Sequence, residues 1–412
     1  MTARGDAPPP GAGGRGTRDL LLLGAGIVLV VVIVVAVAVL VSRRGQPQNA
    51  AGTEAPEQDA ARVTPDDASG SPIANIGSGG CTTSDWYVLC FTDPKYPDNP
   101  ANHKGGLDVQ LVQFMDKAQH TLDVADYDFD LADVADAMVR AKQRGVTVRM
   151  VTDSDTINDT KNKPVQDALG KLKKAGITFI GDDRKPIMHN KFTVVDQEWV
   201  ETGSWNYTDG DTYHLNNNMI IIHSKDLAAN YAAEFDKMFV KRQFGPTKDP
   251  AIPHPTLTIE GTKIQNCFAS EGHCADKIVS TINGAQQSIE FMAFSFTSDK
   301  IGTAMLARHQ AGVGLTGVFE TTGSNTSFSE YTKMKKDKIP VYQDGNPWVM
   351  HHKVIVIDKH IVIFGSFNFS DNADKDNDEN LLIVDDPRIA AAFQAEFDRV
   401  LALAKNPPPR KK

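Results

Sequence analysis

Two histidines, each with a lysine two residues further on, are the groups in this chain best equipped for chemistry: His189 with Lys191, and His351 with Lys353. An aspartate lies seven positions after each histidine, Asp196 and Asp358. On a strand, residues two apart share a face, so each His projects with its Lys while Asn190 or His352 points away. The odd spacing to the Asp, beyond a bend, argues against a shared metal site and for a structural role. Each copy continues into Gly-Ser-x-Asn, ending at Asn206 and Asn368. One His-x-Lys-x4-Asp pattern is a weak signal, and a lone strand histidine is usually packed and satisfied; two copies in register are a strong signal. Paired imidazoles, ammonium groups and carboxamides that converge suit phosphodiester cleavage. One imidazole attacks phosphorus and forms a covalent intermediate. The other protonates the leaving oxygen, then activates water or another acceptor. Lys191, Lys353, Asn206 and Asn368 hold the phosphate oxygens on which charge grows. Protein cations do this work, so neither a metal nor another cofactor is expected.

Such a site needs a scaffold that brings the copies together. The stretches Met188–Thr208 and Met350–Ser370 repeat without a gap at an offset of 162 residues. Upstream, 145–153 and 312–320 echo each other at an offset of 167. Each half reads as a strand (121–129; 288–296), a helix (132–144; 299–311), a second strand and helix, and a hairpin carrying the motif. A polar loop, a further strand (218–223; 380–384) and a closing helix (226–240; 388–404) follow. The pattern predicts an α/β fold of two similar halves, 81–245 and 246–405, each a mixed β-sheet flanked by helices. The halves are expected to pack as a pseudo-twofold internal dimer within a monomer, one motif from each half meeting at the axis.

These residues resemble the phospholipase D superfamily, whose signature is this His-Lys-Asp motif in duplicate. The segments GSWNYT and GSFNFS are similar to those of its bacterial endonuclease-like branch. The resemblance covers about 81–405. It implies a metal-independent phosphodiesterase with a phosphohistidine intermediate, His189 as nucleophile and His351 as general acid and base. It also implies phosphate binding by Lys191, Lys353, Asn206 and Asn368, and framework roles for Asp196 and Asp358. The family often carries a downstream carboxylate that hydrogen-bonds the catalytic His. Glu379 stands 28 residues after His351, but Asn217 stands 28 after His189. Glu379 is therefore expected to support His351, with Asn217 orienting His189 without adding charge. Asp209 or Asp211 could replace the missing carboxylate; a solvated loop is the blander reading. Trp205 and Phe367 suit either pocket or core, Trp348 scaffold packing, and the Lys333–Lys338 run a solvated face.

The chain has 412 residues and a formal charge of −9. Residues 1–44 hold five Arg and two Asp, leaving the remainder at −12. The bulk of the protein lacks the basic footprint of nonspecific nucleic-acid binding. Residues 20–41 form an uncharged run of 22 apolar or Gly residues, long enough for a transmembrane helix. A cleaved signal peptide is the alternative, but Arg43 and Arg44 occupy the place of a cleavage site. The arginines before the span favour a cytoplasmic amino terminus and an extracytoplasmic catalytic part. Residues 1–19 read as a short leading segment, 42–80 as a flexible linker and 406–412 as a tail. Cys81, Cys90, Cys267 and Cys274 lie in sequence-local pairs and suit two disulfides, with buried thiols as the alternative.

The expected substrate is a membrane glycerophospholipid, hydrolysed or transferred to another acceptor. An extracytoplasmic nuclease uses the same phosphodiester chemistry, so nucleic acid stands as the alternative substrate. A noncatalytic surface-binding protein on the same scaffold is a third reading. A cardiolipin-synthase-like transferase is a further variant, disfavoured by the cysteines and the single apolar span.

Overall fold

The motif strands are built from β-branched and aromatic residues, KFTVV at Lys191–Val195 and KVIVI at Lys353–Ile357, and every one of these residues is buried. Such side chains fit a pleated surface packed on both faces. Each motif strand accordingly lies inside an eight-stranded sheet. A computed structural model describes residues Gly80–Pro409. The leading segment, the expected span at 20–41, the linker up to 79 and residues 410–412 lie outside the described residues. Among the described residues, no helix is long and apolar enough to cross a membrane.

The first sheet runs Thr82–Thr83, Tyr87–Phe91, Asn218–His223, Trp199–Gly203, Lys191–Val195, Thr121–Asp126, Thr147–Thr152, Thr178–Ile180. The second runs in the same order: Thr256–Ile259, Thr262–Ala269, Glu379–Asp385, Ile361–Gly365, Lys353–Ile357, Ser288–Ala293, Gly314–Phe319, Val341–Gln343. In each sheet the last three strands pair in parallel and the other pairs are antiparallel. The α/β duplication read from the sequence is present.

Some boundaries differ from the expectation. The strands foreseen over 121–129 and 288–296 stop at Asp126 and Ala293. Beyond them the chain leaves the ladder, with single bridges from Phe129 to Tyr207 and from Phe296 to Phe369. The sequence pattern also did not register the outer strands Tyr87–Phe91 and Thr262–Ala269, or the helices Leu107–Met115 and Cys274–Asn283. Both helices start without a side-chain cap, which removes the usual start signal. Cys81 is bonded to Cys90, and Cys267 to Cys274.

Among the described residues, three apolar clusters hold the fold. One belongs to the first half and includes Phe114, Met138 and Trp205. One belongs to the second half and includes Ile278, Phe296 and Phe367. The third joins the halves, drawing Phe192 and Phe235 from the first and Phe364 and Phe393 from the second. Phe235 and Phe393 sit on the closing helices Lys225–Phe239 and Pro387–Lys405. The backbones meet as well. Leu215–Asn216 pairs in parallel with Val349–Met350, and Met188 bridges Asp378. These bridges are images of each other at the offset of the motif, since 188 corresponds to 350 and 216 to 378. They fix where the histidines lie.

Candidate active site

Each histidine immediately follows a bridge to the opposite half. The His189 N–H donates to Asp378 O at 2.8 Å, and the His351 N–H donates to Asn216 O at 3.0 Å. The next residue of each opposing segment holds the ring. His189 Nδ1 lies 2.7 Å from Glu379 Oε2, and His351 Nδ1 lies 2.9 Å from Asn217 Oδ1. This corrects the expected assignment of the downstream residues. Glu379 serves His189, and Asn217 serves His351. The cause is the bridging between halves, which sets each histidine beside the other half's return strand.

Asp211 is the functional residue that sequence reasoning undervalued. It is buried, not part of a solvated loop, and its Oδ1 lies 3.3 Å from His351 Nδ1. The Asn217 amide donates to the same oxygen at 3.2 Å, and the Asn206 amide at 3.1 Å. The equivalent position in the second half, 162 residues on, is Ala373. One half thus carries Asp211 with Asn217, the other Ala373 with Glu379. Each histidine keeps one acidic neighbour, supplied from a different position. The signal was available in the sequence as this complementary exchange.

The Gly-Ser-x-Asn segments explain themselves in three dimensions. A Cβ on Gly203 would lie 2.1 Å from Asn218 O, and one on Gly365 2.3 Å from Asn380 O. Only glycine permits that approach. Ser204 Oγ donates to Asn217 Oδ1 at 2.8 Å, and Ser366 Oγ donates to Glu379 Oε2 at 2.7 Å. The serines therefore hold the groups that hold the rings. Trp205 and Phe367 are core residues. Asn206 and Asn368 each keep a buried Oδ1 without a hydrogen-bond partner in the unliganded protein.

Lys191 and Lys353 are fully buried. Each Nζ donates to the carbonyl of its own histidine, at 3.0 Å for His189 and 2.7 Å for His351. Burial first, and then mutual repulsion with Lys191, drives the Lys353 pKa far down. Aromatic walls, not foreseen from sequence, flank each pair. The Tyr127 ring packs edge-on to His189 at 5.2 Å, and Phe294 to His351 at 4.7 Å. The lysine ammonium groups stand over the same rings, 5.2 Å from Tyr127 and 4.7 Å from Phe294. Tyr127 and Phe294 are related by the upstream offset of 167, which was the available clue.

The electrostatics join both halves into one site. Burial, with Lys191 and Lys353, holds the His189 imidazole well below its ordinary pKa. Burial and Lys353 push His351 down to about 3, against the pull of Asp211. Burial pushes Glu379 up to about 8, against Lys191. One proton therefore lies between Glu379 Oε2 and His189 Nδ1, whichever atom bears it, and His189 Nε2 keeps its lone pair.

Asp196 and Asp358 lie away from this cluster, at the far turns of the motif hairpins. Asp196 and Gln197 have φ of 53° and 56°, as do Asp358 and Lys359. These are the left-handed conformations of a tight hairpin turn, which aspartate tolerates. Asp196 also accepts backbone N–H groups from Gln119, His120 and Thr121 at 2.7–2.9 Å. Asp358 does the same for Gln286, Gln287 and Ser288 at 2.6–2.9 Å. Each staples its motif hairpin to the loop before the first parallel strand. Trp348 stacks on His214 with ring centroids 4.6 Å apart, and Lys333 pairs with Asp299 and Glu330.

A family model described as "Cardiolipin synthase, PLD-like domain" matches residues 111–239 and 278–401. The chain belongs to this phospholipase D-like family. It is 34% identical over 143 residues to a phospholipase D of Rickettsia conorii, covering 34% of this chain and 72% of that protein. It is 31% identical over 135 residues to a mitochondrial cardiolipin hydrolase of Homo sapiens, covering 32% of this chain and 54% of that protein. The solved phosphatidylserine synthase of Haemophilus influenzae shares the fold. It aligns with a TM-score of 0.57 at 12% identity, over 77% of this chain and 86% of the other. The chain is a phospholipase D-type phosphodiesterase, a phosphoric diester hydrolase.

Proposed function

We propose that this protein cleaves the head-group phosphodiester of glycerophospholipids at a membrane surface, through a phosphohistidine on His189. The observation that carries the reading is the crossed support of the histidines, which occupies each Nδ1 and leaves Nε2 as the nitrogen for the reaction. His189 Nε2 attacks phosphorus, and the P–O bond to the head-group alcohol breaks. His351 Nε2 delivers the proton to that leaving oxygen. Water then loses a proton to His351 and attacks the phosphorus, releasing phosphatidate and restoring His189. An alcohol in place of water gives transfer. Lys191, Lys353, Asn206 and Asn368 bind the nonbridging oxygens as they gain charge.

The lipid assignment is supported by relatives named phospholipase D and cardiolipin hydrolase, by the apolar run 20–41 and by the acidic balance of the rest. We read that run as a single-pass anchor with the catalytic part on the extracytoplasmic side, where disulfides persist. The chain acts as a monomer whose halves complete one site. The test is choline release from phosphatidylcholine vesicles by the full-length protein, beside cleavage of single-stranded DNA. Choline release that is abolished in both His189→Ala and His351→Ala is the expected result. DNA cleavage without choline release replaces the lipid reading with the nuclease reading. Because a P–N bond is acid-labile, protein denatured near neutral pH should carry the phosphatidyl group on His189, and that group mapped to His351 reverses the two roles.

A further inference from the structure

Outside the phosphodiesterase site, a second constellation gathers where the loop after the strand Tyr87–Phe91 meets the short helix Asp209–Tyr213. Asp98, His103 and His214 each offer one ligand atom, and these atoms all lie within 4.8 Å of one another. Asp98 Oδ1 is 2.8 Å from His103 Nε2 and 3.2 Å from His214 Nε2. The arrangement has features that a plain carboxylate–histidine contact does not require. His214 is 97% buried; its Nδ1 has no hydrogen-bond partner, and its Nε2 contacts Asp98 Oδ1 at 3.2 Å. A buried imidazole nitrogen without a partner is costly. His103 is held from behind: its Nδ1 lies 3.1 Å from Asp209 Oδ1, so Nε2 is the nitrogen turned toward the group. A carboxylate on the far nitrogen is the usual way a metal-binding histidine is aimed. The His103 ring is also stacked on Tyr213, with centroids 4.4 Å apart, and His214 is stacked on Trp348. An access route exists, since Asp98 and His103 line a cavity of about 250 Å³.

We propose that Asp98, His103 and His214 form a binding site for a divalent transition metal of the zinc class, separate from the phosphodiesterase centre. Two neutral imidazoles and a carboxylate suit zinc, with the fourth position open to water. The second half has no counterpart, because Asp376 stands where His214 does. The ion ties the loop 92–106 to the segment 209–217. That segment contains Asp211, Asn216 and Asn217, the groups that hold His351. The role is therefore structural, and no step of the reaction passes through the ion.

The probe is zinc itself. Full-length protein in detergent is stripped with chelator, dialysed, loaded with Zn²⁺ and freed of excess; bound zinc is then counted and thermal unfolding followed. The expected result is about one zinc per chain, a raised Tm on loading, and no comparable effect of Ca²⁺. Cobalt in place of zinc should give the visible absorption of a tetrahedral site. Asp98→Asn, which keeps shape, and His103→Ala, at a half-buried position, should each lose the stoichiometric zinc and the rise in Tm. Asp209→Asn should weaken zinc binding roughly 10–100-fold without abolishing it. His360→Ala, at an exposed histidine elsewhere, should bind as wild type. Absence of retained zinc in the wild type, or unchanged zinc uptake by both Asp98→Asn and His103→Ala, overturns the proposal. Because the readouts are metal content, spectrum and Tm, this outcome is independent of whether the substrate is lipid.

Discussion

The two histidines share one cluster, and in the mechanism proposed above their neighbours prepare them for different work. Glu379 occupies His189 Nδ1 directly, whereas His351 Nδ1 contacts a neutral amide at 2.9 Å with Asp211 behind it at 3.3 Å. The first arrangement leaves a nucleophilic nitrogen. The second supports an imidazolium once an anionic phosphodiester arrives, because the substrate's charge adds to that of Asp211. In the free protein His351 is held down at about 3, so its protonated form is scarce at neutral pH. Bound substrate raises that pKa. The limb reporting loss of the acid's proton should therefore lie at higher pH in kcat than in kcat/KM. Asp211→Asn removes the favouring charge while keeping the amide contacts. The limb in kcat should move to lower pH, with kcat at pH 7 falling on the order of 10- to 100-fold. An unshifted limb in the variant would remove Asp211 from proton transfer. Glu379→Gln should instead slow formation of the phosphohistidine, with the His351 limb left in place, as read by single-turnover quench. The motif residues were legible because their spacing is local: a strand's period of two sets His189 beside Lys191 whatever the fold. The partners of the rings were not, because Glu379 reaches His189 only through pairing between halves 190 residues apart.

At the scale of elements, the sheets do most of the positioning, and the closing helices lock them. The helix Pro387–Lys405 begins at Asp386, whose carboxylate accepts the backbone N–H groups of Arg388 at 2.8 Å and Ile389 at 3.2 Å. The Thr262 hydroxyl and the Arg388 guanidinium bind the same carboxylate. Against the effect of burial, which raises it, these donors hold the Asp386 pKa below its ordinary value. The sign follows. A depressed folded-state pKa stabilises the fold above the ordinary carboxylate range, near 4, and the benefit is lost as pH falls through the folded value. Asp386→Ala should cost about 1–2 kcal/mol at pH 7 in denaturant unfolding, and the gap to wild type should narrow steadily below pH 4. A gap independent of pH would assign the loss to packing. The helix itself was readable from its apolar period, and its predicted span of 388–404 lies within the observed one. The outer strand Thr262–Ala269 was not, because it belongs to neither repeated stretch and pairs with Glu379–Asp385, far along the chain.

At the scale of the whole molecule, one buried ionic cluster couples the halves at the root of the His189 site. Lys248, in the connection between them, is fully buried and binds Glu234 of the first half's closing helix. Its Nζ also lies 2.6 Å from Asp378 and 3.4 Å from Glu271 of the second half. Asp378 pairs further with Arg184, and its backbone carbonyl receives the His189 N–H. The ammonium is thus the common counter-charge of three carboxylates drawn from both halves. Burial and the charge of Glu234 already push Glu271 up to about 8. Lys248→Met keeps a similar volume but leaves the carboxylates facing one another. Breaking a buried ion cluster from one side costs about 3–5 kcal/mol, and the loss should appear as a lower midpoint in urea at pH 7. The same variant has a pH signature. Without the ammonium, which lowers both, the Glu271 and Asp378 carboxyls take folded-state pKa values still further above the value near 4 of the unfolded chain. The folded variant then binds more protons than its unfolded form, so its stability falls as pH rises between those values. The deficit relative to wild type should be smaller at pH 5 than at pH 8. Adding Glu234→Gln to Lys248→Met should recover part of the loss, since it removes one carboxylate from a cluster that then relies on Lys237 and Arg184 for its positive charge. A deficit equal at both pH values, with no recovery in the double variant, would mean that Lys248 acts by filling space and that the halves are coupled by their shared apolar cluster alone.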